Sequence, residues 1–89
     1  MMNGAYRVRF ILYPGQLIAA PVQFQLIRLA TAFKSAAFLH NGELVERISN
    51  ETHSIWGMSV RAKPVIVHEG DRLESLDGVL LVIGQREMN

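Results

Sequence analysis

The sequence predicts an α+β domain, an antiparallel sheet with helices packed on one face. Three observations lead there: a period-2 stretch opens the chain, apolar residues then recur at helical spacing, and an Asn-Gly pair separates two β-type runs. Tyr6, Val8, Phe10 and Leu12 alternate with Arg7, Arg9 and Ile11, so a strand over Tyr6–Leu12 puts an apolar face on the core and two arginines in solvent. Tyr13-Pro14-Gly15 breaks it, because proline removes a ladder donor and glycine permits a tight turn. Val22, Leu26, Ile27, Ala30 and Phe33 then follow helical spacing behind Pro21, which suits a first helical turn, and a helix is expected over Pro21–Phe33.

Ser35–His40 and Leu44–Ile48 are expected strands joined at Asn41-Gly42, the pair a type I′ hairpin turn favours because both its central residues need positive φ. Ser49-Asn50-Glu51-Thr52 is rich in capping residues and introduces a short helix holding Ile55, Trp56, Met58 and Ser59, interrupted by Gly57. Pro64–His68 reads as the last strand, stopped by Glu69-Gly70. Asp71 and Glu74 have capping-box spacing, and Leu73, Leu76, Leu80 and Ile83 share a helical face, which predicts a final helix over Asp71–Gln85. Val79–Ile83 is also β-prone, and with Asp77-Gly78 as a turn it would be a strand; local pattern leaves both open. The expected core is Val8, Phe10, Leu26, Ile27, Ala30, Leu76 and Leu80.

A chain of 89 residues has room for one core, so a single domain over 1–89 is expected. At 49% hydrophobic and 19% charged residues it should fold rather than stay disordered. A formal charge of +1 is too weak a field to gather nucleic acid or an anionic membrane. Cysteine is absent, which excludes disulfides, thiolate metal sites and a cysteine nucleophile and fits a reducing cytoplasm. No basic stretch leads into an apolar run at the N-terminus, so no signal peptide is expected. Val79 to Ile83 is the longest apolar run, far short of the roughly 20 residues of a spanning helix.

The expected order β-α-β-β-α-β-α resembles HPr, the phosphocarrier of the bacterial sugar phosphotransferase system, an open-faced sandwich. Gly15-Gln16-Leu17-Ile18-Ala19-Ala20-Pro21 resembles that family's Gly-Leu-His-Ala-Arg-Pro entry to its first helix. Phe33-Lys34-Ser35 through Asn41-Gly42 resembles its second-strand hairpin, and Ser54-Ile55-Trp56-Gly57-Met58-Ser59 resembles the Ser-Ile-Met-Gly-Val-Met-Ser stretch of Gram-positive members, one residue short. The family's phosphohistidine stands three residues before the proline, where this chain has Ile18, and its arginine immediately before, where this chain has Ala20. An aliphatic side chain has no nitrogen to phosphorylate, so the resemblance implies a divergent member that cannot carry phosphate there. Gln16 is similar to the glutamine of the catabolite-repression paralogue, but lies five residues before the proline rather than three.

The resemblance also implies a regulatory phosphoserine at the short helix, at Ser54 or, by counting from the hairpin glycine, Ser49. A phosphate at a helix N-terminus is electrostatically favourable, with Arg47 or Arg61 as further partners. It implies a docking surface of Leu17, Ile18, Ile55, Trp56 and Met58, and hence a protein partner or homodimer. His40, His53 and His68 have no metal-ligand spacing and read as solvent-facing turn and strand-end residues, so neither metal nor cofactor is expected. Ser54, His53 and Asp71 make a triad only on paper, without a nucleophile elbow. The expected function is a non-catalytic regulatory or protein-interaction module in the cytoplasm. The alternatives are a phosphocarrier with another acceptor, such as His53, and a small ligand-binding α+β domain of unrelated function.

Overall fold

Alternation, not helical spacing, organises the chain. The computed structural model describes residues 5–49 and 57–87. These form eight strands and no helix: β1 Ala5–Leu12, β2 Leu17–Ala19, β3 Phe24–Thr31, β4 Ser35–His40, β5 Glu43–Ser49, β6 Gly57–Val67, β7 Arg72–Ser75 and β8 Leu80–Glu87. They make two four-stranded sheets, sheet I in the order β1-β8-β3-β6 and sheet II in the order β2-β7-β4-β5, with every strand pair antiparallel.

Burial follows the pleat. In sheet I, Leu12, Phe24, Leu26, Leu29, Val67, Leu80 and Val82 are buried; from sheet II, Ala36, Phe38, Ile48 and Leu73 join the same cluster, so the two sheets close face to face as a β-sandwich. Burial of each such aliphatic or aromatic side chain is worth about 1.5–3 kcal/mol. The hairpin at Asn41-Gly42 forms as expected, with φ of 52° and 84° at the two turn residues.

The expected α+β class is thus overturned, and each misassigned helix has a physical reason. The segment read as a helix over Pro21–Phe33 is mostly β3, in which the register with both neighbours shifts between Leu26 and Arg28. Ile27 is the extra residue of a β-bulge, so inward positions pass from Phe24 and Leu26 to Leu29 and Thr31, and the apolar spacing imitates a helix. The segment expected as the helix Asp71–Gln85 is β7, a turn at Leu76–Gly78 and β8, in separate sheets. The β-type reading of Val79–Ile83, with Gly78 in a turn at φ 71°, is the one realised.

The short helix falls mainly on residues 50–56, outside the described residues, and its Gly57, Met58 and Ser59 begin β6. The expected strand Pro64–His68 is the end of this much longer strand, which runs from Gly57 to Val67. Of the expected core, Leu26, Ala30 and Leu80 are buried and Val8 and Phe10 pack against the core, but Leu76 is 56% exposed in the turn. The first and last helices that the resemblance to HPr implies are strands here, and with them goes the element order on which that resemblance rests.

Candidate functional site

Of the residues expected to share a docking face, the three described ones, Leu17, Ile18 and Met58, are divided among different surfaces. Leu17 and Ile18 lie on β2, an edge of sheet II, and the pleat turns them to opposite sides: Leu17 is exposed, while Ile18 packs against the core. Ile18, aligned with the family's histidine, is therefore a strand residue facing inward, not part of a loop before a helix. Met58 is exposed on β6, an edge of the other sheet, and Ile55 and Trp56 lie outside the described residues.

Ser54 and His53 also lie outside the described residues. Ser49 ends β5, and its hydroxyl donates to the Lys34 carbonyl at 3.1 Å. A phosphate on Ser49 would meet no helix N-terminus among the described residues. Arg47 is engaged elsewhere, 2.8 Å from the Asp77 carboxylate.

The histidines sort differently from the expectation. His40 is not a solvent-facing residue: its Nε2 donates to Asp71 Oδ2 at 2.7 Å, with the two side chains only 18% and 22% exposed. The same oxygen accepts the His68 backbone N–H at 2.9 Å. Asn41 exchanges two bonds with the Arg72 backbone, its Oδ1 accepting and its N donating, both at 2.8 Å. Ala20 donates to the Asp71 carbonyl at 2.7 Å and accepts from Gly70 N at 2.8 Å.

This cluster ties the β4–β5 turn, the β6–β7 turn and the segment after β2 into one end of the sandwich. With Asp71 so committed it is a structural clamp, and among the described residues no group of three or more His, Cys, Asp or Glu is placed to hold a metal ion.

The hydrogen bond from His40, then that from the His68 backbone, holds the Asp71 carboxyl below its ordinary value. A depressed carboxylate contributes stability that is full above the unfolded-state value and lost as pH falls through the lower folded one. Urea midpoints of the wild type and Asp71→Asn should therefore differ most at neutral pH, stay apart down to about pH 4, and converge only below it. Midpoints that already coincide at pH 7 would show the clamp to be inert.

The largest unexplained feature is the outer side of sheet I. Ile11, Leu81, Ala30 and Met58 form one row across β1, β8, β3 and β6; Arg9, Ile83, Arg28 and Val60 form the next; Arg7, Gln85, Gln25 and Ile66 form the third. Ile11, Met58, Val60 and Ile66 are 47%, 53%, 67% and 43% exposed, while Leu81 between them is half-buried and Ala30 and Ile83 are buried. Arg7, Arg9 and Arg28 stand among them with no ionic partner among the described residues, and Arg28 Nε is buried without any hydrogen bond. An open cleft of about 610 Å³ adjoins the third row, with Gln23, Gln25, Gln85 and Arg86 around Ile66.

On the opposite side of the sandwich the corresponding row, Leu17, Glu74, Leu39 and Leu44, is interrupted by a carboxylate. Exposed apolar side chains mixed with unpaired arginines are the composition of a protein-contact face rather than of a solvated one. Part of it is visible in the alternation of Arg7, Arg9 and Ile11, and Met58 is among the expected docking residues, though on a helix; Val60 belongs to no expected element, and Ile66 falls in the expected strand Pro64–His68.

The chain matches no family model, no curated protein and no solved structure. Among the described residues, no helix is long and apolar enough to cross a membrane.

Proposed function

We infer that this chain is a non-catalytic protein-interaction module whose working surface is the outer side of sheet I. The observation that carries the reading is the set of exposed apolar side chains Ile11, Met58, Val60 and Ile66, which stand in rows with half-buried Leu81 and buried Ala30 and Ile83 and are set among unpaired arginines. Ile11, Met58, Val60 and Ile66 are absent from the sandwich core, and leaving them in water forgoes roughly 25 cal/mol for every Å² that a partner would cover. The interaction role expected from the sequence is retained, while its HPr-like form, which needed a loop and helix at Ile18, is not. A chain without cysteine is compatible with the reducing cytoplasm, where we place it.

Val60 is the residue to test, because it is open and contributes little to folding. Val60→Asp should change stability by less than about 0.5 kcal/mol, as exposed substitutions do. A protein captured from host lysate by the wild-type chain should be lost, by tenfold or more, with Val60→Asp and retained with Leu44→Asp on the other sheet. Identical capture by all three chains would remove this face as the working surface.

A further inference from the structure

Sheet edges are where this fold differs from side to side. β2 is only three residues long. β5 carries Glu43, Glu46 and Arg47. β6 holds Lys63 and Pro64 and leaves β3 between Val60 and Val65, where four of its residues stand opposite Ile27 alone. Shortness, charge, proline and bulging are the devices by which edges avoid pairing with another chain. Of these devices β1 has only charge, in Arg7 and Arg9: its eight residues run against β8 without a register shift, from Ala5 opposite Glu87 to Leu12 opposite Leu80. Among the described residues no strand lies beside its far side, so alternate N–H and C=O groups point away from the sheet.

The side chains of β1 add a charge pattern. Arg7 and Arg9 are exposed on the outer side, and Val8 and Phe10 are half-buried on the inner one. We propose that β1 is a strand-addition site, taking an extended protein segment in which carboxylates alternate with apolar residues. The carboxylates lie across from Arg7 and Arg9, and the apolar residues cover what Val8 and Phe10 leave exposed.

A second copy of the chain is the wrong occupant. Two-fold pairing that keeps both outer sides together sets Arg7 against Arg9 of the other copy when centred on Val8, and Arg9 against Arg9 when centred on itself. Like charges directly opposite are destabilising.

The size of the sheet points the same way. Its outer side measures roughly 500 Å² from strand spacing and rise, short of the ~800 Å² per partner of a stable complex. A partner that continues from β1 onto the sheet gains the missing contact as main-chain hydrogen bonds. The inference rests on the interaction reading above and deepens it.

The probes are acetyl-(Val-Glu)4-amide and its lysine counterpart, titrated into the full chain at pH 7 and about 0.15 M salt. The acidic peptide should bind at least about tenfold tighter, two opposite-charge pairs being enough for that. It should slow hydrogen exchange at alternate amides of β1, and the preference should reverse with Arg7→Glu/Arg9→Glu. N-methylating alternate amides along one edge of the peptide should abolish binding, while methylating the other edge should not.

Equal affinity for both peptides, no binding of either, or binding without protection of β1 would overturn the proposal, as would a β1-paired homodimer in sedimentation. Val60→Asp separates the two readings. Peptide binding that survives it with β1 protected supports strand addition even if the sheet face is idle; binding that it removes, with β1 never protected, leaves the face and overturns the strand site.

Discussion

Gly84→Ala is expected to destabilise the protein by about 1–3 kcal/mol, the cost of forcing extra volume into a packed core. Gly84 lies on β8 between β1 and β3, opposite Val8 and Leu26. An added Cβ would fall within the ring of Phe24, which is itself buried. The missing side chain lets Phe10 of β1 and Phe24 of β3 meet across the intervening strand, edge to face, with centroids 5.5 Å apart and planes at 76°. An aromatic ring laid over a cross-strand glycine replaces the packing that the glycine cannot supply.

Phe24→Ala alone should cost about 3–5 kcal/mol, from lost transfer energy and the cavity left behind. The two changes occupy the same space, so they should not add. In the Phe24→Ala background, Gly84→Ala should cost little, giving a coupling of about 1 kcal/mol or more in the double-mutant cycle. Urea denaturation of the four chains measures it, and additive values would mean that ring and glycine do not share the site.

What could be read without coordinates depended on whether local pattern and tertiary environment agreed. At β1 they agree, because its inner and outer sides differ in polarity and Arg7 and Arg9 mark the outer one. At Asn41-Gly42 they agree because positive φ at both turn residues leaves little choice of geometry. At β3 they conflict: the bulge at Ile27 adds a residue and turns a period of two into the spacing of a helix face. At the start of β8 the outer side is as apolar as the inner, so Leu81 and Ile83 alternate with Leu80 and Val82 in one unbroken apolar run and no polar alternation shows.

This second failure and the candidate site have one cause. A solvent-facing sheet side that carries aliphatic residues erases the strand signal, and it is also what marks that side as a contact surface. The part of the site on β1 was therefore legible, the part on β6 only at Met58 and in the expected strand Pro64–His68, and on β8 the pattern left helix and strand open.

Gly78 controls the passage from one sheet to the other, and Gly78→Ala is expected to cost about 3 kcal/mol, well above a conformational penalty alone. Its φ of 71° lies in the left-handed region, where an L side chain costs about 1–2 kcal/mol. Gly70, at φ 89°, carries the same conformational demand but has open space where a Cβ would go. A Cβ on Gly78 would instead run into the Ser35 carbonyl and press on Ala36 at the start of β4. Neither can move aside easily. The buried Ser75 hydroxyl holds the turn by donating to the carbonyls of Asp77 and Gly78 at 2.8 and 3.0 Å. Thr31 Oγ1, also buried, donates to the Val79 carbonyl at 2.8 Å and ties the start of β8 to the end of β3.

Displacing residue 78 therefore strains the turn that carries the chain from β7 in sheet II to β8 in sheet I, and with it the centre of both sheets. Gly70→Ala should lose only the conformational share, about 1–2 kcal/mol. The difference between the two substitutions in denaturant midpoint at constant m-value measures the backbone contact at Ser35, and equal losses would show that the turn yields without disturbing β4.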